Sequence, residues 1–184
     1  MSRIVTPPSI EASPAASQPL LNAVKAQLGT VPNLFRAIGV SPASLEGFLG
    51  LNGALGKGKL GAKTRERIAL AVAEANGCGY CTAAHSYISE NLVKLPKDDI
   101  AASRRGGSSD PKADAAVKFA LKVLRERGHV GAGDVQAVKD AGFDDAEIVE
   151  IVMNVAVNVL TNYFNETVKT DVDFPEVTPL SAAA

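Results

Sequence analysis

Apolar residues along this chain recur at intervals of three and four, and sustained two-residue alternation is almost absent. That spacing places apolar side chains on one face of successive helical turns, so the sequence predicts an all-α protein. Its punctuation agrees. Ser17 with Pro19 opens a helix carrying Leu20, Leu21, Val24 and Leu28, and Gly29 ends it. Val31–Pro32–Asn33 reads as a turn before a short helix with Leu34, Phe35 and Ile38. Ser41 followed by Pro42 is an N-cap pattern for a helix through Leu45, Phe48, Leu49 and Leu55, which the glycines 56, 58 and 61 break. The run 62–76 is apolar on every side over Ile68–Ala73, which predicts a central helix stopped by Gly77.

A second helix is expected directly after it, with Cys78 and Cys81 in its opening turn and Leu95–Pro96 closing the element. The polar stretch 104–110 reads as a surface loop, and Asp110–Pro111 starts a helix with Val117, Phe119, Ala120, Leu121 and Leu124. A short helix over 134–141 ends at Gly142. Asp144 and Glu147 have capping-box spacing for a long last helix through Ile148, Ile151, Val155 and Val159. One domain over 1–184 is expected, with an irregular segment to about residue 17 and an extended tail from about residue 170, lying over a neighbouring surface or mobile.

At 184 residues with 46% apolar content, the chain has enough hydrophobic surface for a core. Nineteen basic and twenty acidic residues leave a net charge of −1, so no uniform field recommends nucleic acid or anionic membrane as a partner. The longest apolar runs, such as Ile68–Ala73 and Val155–Leu160, fall well short of the ~20 residues of a membrane span. No secretory leader pattern is visible near the start, and a cytoplasmic location is expected. No motif calls for a bound cofactor: the lysines and glycines over 57–63 lack the order of a phosphate loop.

The chemistry concentrates in one segment. Cys78 and Cys81 are the two cysteines of the chain, and His85 follows one helical turn later. At ~100° per residue these three side chains share a helix face. Thiols at a helix N-terminus meet unpaired backbone N–H groups and the positive end of the helix dipole, which favour thiolate. Two Cα atoms three residues apart on a helical turn lie ~5 Å from each other, within reach of a disulfide, so the pair can cycle between dithiol and disulfide. His85 is placed to hold or relay a proton. Glu66, on the preceding helix, reaches the thiols if the two helices run antiparallel, and a packed carboxylate there suits proton transfer. Other readings compete: a solvated ion pair of Glu66 with Lys63, Arg65 or Arg67, a simply packed His85, and a structural zinc site of Cys78, Cys81, His85 and either a carboxylate or His129. The zinc set is sparse, no metal is expected, and His129 reads as a surface residue. Tyr80 is read as a packed aromatic or a pocket residue. Asn154, Asn158, Asn162 and Asn165 form a polar stripe on the last helix that can bond across an interface or line a cavity, read first as packing or interface and second as direct substrate contact. Phe35, Phe48, Phe119, Phe143 and Phe164 read as core or interface anchors.

The sequence Arg65-Glu66-Arg67-Ile68 followed by Ala73-Glu74-Ala75-Asn76-Gly77-Cys78-Gly79-Tyr80-Cys81-Thr82-Ala83-Ala84-His85 resembles the alkylhydroperoxidase D-like, peroxidase-related branch of the carboxymuconolactone decarboxylase family. The shared pattern is a glutamate, eleven residues, Cys-x-x-Cys, three residues and a histidine; the likeness extends more weakly from Val31–Phe35 to Thr170–Pro175. It implies a compact helical bundle working as a homo-oligomer (dimer, trimer or hexamer), no cofactor, and thiol-dependent reduction of a hydroperoxide. By the same resemblance Cys81 attacks the peroxide, Cys78 resolves the product to a disulfide, Glu66 and His85 relay protons, and a dithiol or reducing protein resets the pair. Where the family carries a histidine before the second cysteine, this sequence has Tyr80. Two other uses of the pair are weighed against turnover of peroxide: a redox sensor or oligomerisation module, and a disulfide oxidoreductase acting on a partner protein.

Overall fold

The structure is a computed structural model that describes residues 2–178 and 180. Among the described residues the regular structure is helical throughout: α1 (Gln18–Leu28), α2 (Asn33–Ile38), α3 (Pro42–Leu55), α4 (Ala62–Ala75), α5 (Gly79–Asn91), α6 (Lys97–Arg104), α7 (Pro111–Arg125), α8 (Ala132–Asp140) and α9 (Asp145–Val168). Local chemistry explains most of the boundaries. Gly29 takes φ +77° at the end of α1, a left-handed conformation that glycine adopts without a Cβ penalty. Ser41 Oγ accepts from Ser44 N at the start of α3, and Pro42 sits where its missing N–H costs nothing. Asp144 and Glu147 exchange side-chain bonds with each other's backbone N–H at 2.8 and 2.9 Å, the reciprocal cap that the spacing predicts. Ser17 departs from its expected capping role: its Oγ donates to Gly39 O at 2.7 Å, tying the start of α1 to the end of α2.

α4 is the centre of the bundle. Its residues 67–73 are buried on all sides, and it packs against α5, α6, α7 and α9. Ala69, Ala71 and Ala73 let neighbouring helices approach, while Ile68 and Val72 join Ala116, Phe119 and Ala120 of α7 and Ile148, Ile151 and Val155 of α9 in the main core. A second core brings Leu21 of α1, Ile38 of α2 and Leu45 and Phe48 of α3 onto Val157 of α9. All five phenylalanines singled out above are buried or packed against these cores.

One helix escapes the sequence reading. α6 has a single strongly apolar residue, Ile100, and packs through polar contacts, so the apolar periodicity that reveals the other helices is missing. Arg67 of α4 and Asp99 of α6 form a buried ion pair, Nε to Oδ2 2.7 Å. Asp99 Oδ1 also accepts from Ser108 Oγ and Ser109 N at 2.9 and 3.2 Å, which ties the 105–110 loop to the pair. Burial alone would raise the Asp99 carboxyl; its bonds to Arg67, Ser108 and Ser109 outweigh that and hold it below the usual carboxylate range. The stability it contributes is therefore present above the ordinary carboxylate pKa and lost as pH falls through the lowered one. Arg67→Met leaves that carboxylate buried and unpaired, with an expected loss of about 3–5 kcal/mol in urea unfolding. A loss under about 1 kcal/mol would mean that water reaches Asp99.

Residues 171–178 carry no regular secondary structure after α9 and bond back to the chain's own surface. Asn33 N donates to Asp173 Oδ2 at 2.7 Å, Arg104 Nη2 to Thr178 O at 2.6 Å, and Leu180 N to Glu74 Oε1 at 2.7 Å. Pro179 and residues 181–184 of the expected tail lie outside the described residues. Among the described residues no helix is long and apolar enough to cross a membrane.

Candidate functional site

The site is built at the reversal between α4 and α5. Asn76 caps α4, and Gly77 at φ +66° turns the chain back in a conformation that most side chains resist. Cys78 is extended (φ −83°, ψ 95°) and is the N-cap of α5, one position outside the helical turn in which the sequence places it; its Sγ accepts from Cys81 N at 3.3 Å. Cys81 lies in the first turn proper, and His85 one turn further along. The antiparallel return brings Glu66 alongside: Glu66 Oε2 lies 2.9 Å from His85 Nδ1. Of the solvated partners considered for Glu66, Arg67 instead pairs with Asp99, and Arg65 donates to Leu55 O at 2.5 Å.

The two thiols are not equivalent. Cys78 is fully enclosed, whereas Cys81, only 3% exposed, lines a cavity of about 630 Å³ together with Glu66 and His85. Phe35, Phe48, Tyr87 and Phe174 give the cavity an aromatic wall, and Asn154, Asn158 and Thr161 of α9 give it a polar one. A hydrogen bond from Cys78 lowers Cys81 against the opposing effect of burial; Asn165, the charge of His85 and Asn162 lower it further, to about 7. Cys78 moves the opposite way, raised by its bond to Cys81, by burial and by the charge of Cys81. Burial acts to lower His85, but the charge and hydrogen bond of Glu66, with the charge of Cys81, leave it raised. These shifts favour a Cys81 thiolate beside a protonated His85 that Glu66 anchors.

Tyr80 is buried and fixed at both ends. Its hydroxyl donates to Asp173 Oδ1 at 2.9 Å and accepts from Leu34 N at 3.2 Å, and its ring meets Phe174 edge-on with centroids 5.7 Å apart. Burial and Asp173 raise its pKa, so it stays a phenol. It lines the cavity, as one reading of the sequence allowed, and also pins the tail over it.

The asparagine stripe carries a residue that sequence reasoning missed. Asn165 Nδ2 donates to Cys81 Sγ at 3.2 Å. Asn162 Oδ1 accepts from Asn76 Nδ2 at 2.8 Å, and Asn154 and Asn158 donate back along α9 to Glu150 O and Asn154 O. The stripe's spacing was the available signal; which thiol it faces depends on how α9 crosses α5. His129 is exposed, and among the described residues no group of three or more His, Cys, Asp or Glu is placed to hold a metal ion.

Residues 42–126 match the sequence profile of the carboxymuconolactone decarboxylase family. Among curated proteins nothing matches. Among solved structures the chain is similar to an uncharacterized peroxidase-related protein with an alkylhydroperoxidase AhpD core from Ralstonia eutropha JMP134, at TM-score 0.84 and 28% identity over 94% of this chain and 92% of that one. An uncharacterized peroxidase-related protein from Silicibacter sp. TM1040 follows at TM-score 0.81 and 23% identity, covering 92% and 91%. The debrominase Bmp8, in complex with 2,3,4-tribromopyrrole, shares the fold at TM-score 0.79 and 21% identity over 94% and 93%. The profile match spans both helices that carry the glutamate, the cysteine pair and the histidine, so the chain resembles the carboxymuconolactone decarboxylase family over residues 42–126 and shares the fold of an alkylhydroperoxidase AhpD core along nearly its whole length.

Proposed function

We propose that the protein is a thiol-dependent peroxidase, a single domain that reduces hydroperoxides through Cys81 and Cys78. The observation that carries this reading is the asymmetry of the pair: the thiol with the lowered pKa is the one that opens on the cavity. The Cys81 thiolate attacks the outer peroxide oxygen; the S–O bond forms, the O–O bond breaks, and the alkoxide leaves with a proton from His85 as an alcohol. Cys81 is then a sulfenic acid. Cys78 sulfur attacks it, the S–S bond forms, and hydroxide departs with the Cys78 proton as water. An external dithiol or reducing protein returns two electrons and two protons. Glu66 holds His85 in place and keeps it protonated, the role that its 2.9 Å contact supports.

The cavity favours organic hydroperoxides over hydrogen peroxide, because its aromatic wall would bury an apolar substituent. That wall also favours a second reading, in which the same thiols remove halogen from an aromatic compound, the class of molecule that Bmp8 binds. A homo-oligomer is proposed as well. Val149, Val152, Met153, Leu160 and Tyr163 leave an exposed apolar stripe along α9, the kind of face that subunit contact covers.

Purified reduced protein with cumene hydroperoxide and dihydrolipoamide as regenerating dithiol is expected to consume many equivalents of peroxide per chain. Oxidation that stops at one equivalent would replace the enzyme with a sensor. Reduction of a protein disulfide without peroxide consumption would make it an oxidoreductase, and halide release from tribromopyrrole would favour the second reading. Light scattering on the same sample tests the oligomer, which a monomer mass would remove.

A further inference from the structure

Two side-chain amides of α9 converge on the reactive sulfur. Asn162 and Asn165 lie one turn apart on the same face of the helix, 0% and 2% exposed, against the N-terminus of α5. Asn165 Nδ2 already donates to Cys81 Sγ at 3.2 Å. Asn162 is clamped from the other side: its Oδ1 takes the Asn76 amide at 2.8 Å, and its own Nδ2 is buried without a hydrogen-bond partner, in a side chain close enough to Cys81 to favour its thiolate. A buried amide donor left unpaired costs about 1–3 kcal/mol, so its presence calls for an acceptor that arrives during the reaction. A thiolate has no proton to give and only accepts, so the nitrogen of each amide is the atom that it selects.

We infer that Asn162 and Asn165 form a two-amide donor cradle that holds the charged sulfur of Cys81 and then the oxygen it acquires, and so selects Cys81 over Cys78 as the sulfur that reacts. Donors built into a rigid helix and aimed at a site of developing charge need no reorganisation when that charge appears, the logic of an oxyanion hole. Asn165 serves the thiolate. Asn162 Nδ2 gains its missing acceptor when the sulfenate oxygen is in place. Asn76 is a positioning residue, because its bond to Asn162 Oδ1 leaves the nitrogen of that amide as the unpaired donor. No cradle reaches Cys78, whose Sγ takes the backbone N–H of Cys81 instead.

The second half of this inference, the held oxygen, rests on the peroxidase reading; the first half, the held thiolate, does not. The test separates them. The rate of iodoacetamide alkylation at each cysteine is followed by mass spectrometry from pH 5 to 10 in the full chain, alongside dithiol-supported peroxide turnover. The groups able to move the Cys81 profile are His85, Cys78 and Tyr80 on its own segment, Glu66 through His85 from α4, Glu166 through Cys78 from α9, and Asp173 from the tail. All are unchanged in the variants, so a displaced midpoint reports the amide. Asn165→Leu, of similar size without a donor, is expected to raise the Cys81 midpoint by about one pH unit and to slow sulfenic acid formation about tenfold, with Cys78 unaffected. Asn165→Ala, smaller and likewise uncharged and without a donor, is expected to raise it by a similar amount and carries the test if the Leu variant does not fold.

A folded variant with an unmoved Cys81 midpoint overturns the cradle, whatever the turnover assay shows. A raised midpoint in a wild-type protein that turns over no peroxide sustains the thiolate half and removes the peroxidase.

Discussion

Cys81→Ser is expected to bring dithiol-supported peroxide consumption down to the uncatalysed background, a loss of at least about 10³-fold, because a serine hydroxyl stays protonated where this thiol ionises. Its consequence should differ in kind from that of Cys78→Ser. The Cys78 variant retains the sulfur that faces the cavity, so it should consume one equivalent of peroxide per chain and stop, with Cys81 trapped as a sulfenic acid that dimedone labels. Burial makes the asymmetry strict, since Cys78 is fully enclosed and cannot meet a substrate in the cavity without movement of the α4–α5 turn. The opposite pattern, a burst in Cys81→Ser and none in Cys78→Ser, would exchange the two roles.

Glu66→Gln should cost about 100-fold at neutral pH and change the shape of the pH profile. In the wild type the thiolate fraction of Cys81 grows as pH rises through about 7, and the acid form of His85 is lost only above its raised pKa. The product of the two is a bell whose acid limb lies near pH 7. Removing the Glu66 charge loosens the proton on His85, so the alkaline limb moves to lower pH. The weaker charge on His85 supports the Cys81 thiolate less, so the acid limb moves up. The bell narrows from both sides and its maximum falls. A profile that keeps both limbs in place would show that Glu66 serves only to pack His85.

Much of this was legible in the chain because the signals are local. Gly29, Gly77, Pro42 and the Asp144–Glu147 pair mark their helix ends through backbone chemistry that needs no distant partner. The unbroken apolar run Ile68–Ala73 marks α4 as central because only a surrounded helix can be apolar all round. α6 was illegible for the complementary reason: Asp99 and Ser103 are buried polar residues, and the partner that holds Asp99 there, Arg67 on α4, lies 32 residues away. Cys78 was set one position too far into the helix, since helical spacing cannot distinguish an N-cap from a first turn when the capping atom is the sulfur itself.

The candidate site divides along the same line. Spacing alone put Cys78, Cys81 and His85 together and made Glu66 available to them, because i, i+3 and i+7 geometry and a tight reversal are properties of the local chain. Which thiol meets the cavity, and which is raised and which lowered, came from elements that the spacing could not orient. The crossing of α9 over α5 brings Asn165 onto the Cys81 sulfur, and the return of the tail sets Asp173 on Tyr80 and Phe174 over the cavity. By itself, then, the sequence determined an all-helical fold and the identity of the reactive segment, through periodicities that act over a few residues. The tertiary structure alone decided how differently the two sulfurs are surrounded, because solvation, hydrogen bonding and charge at a buried atom are set by whatever packs against it, however far away along the chain.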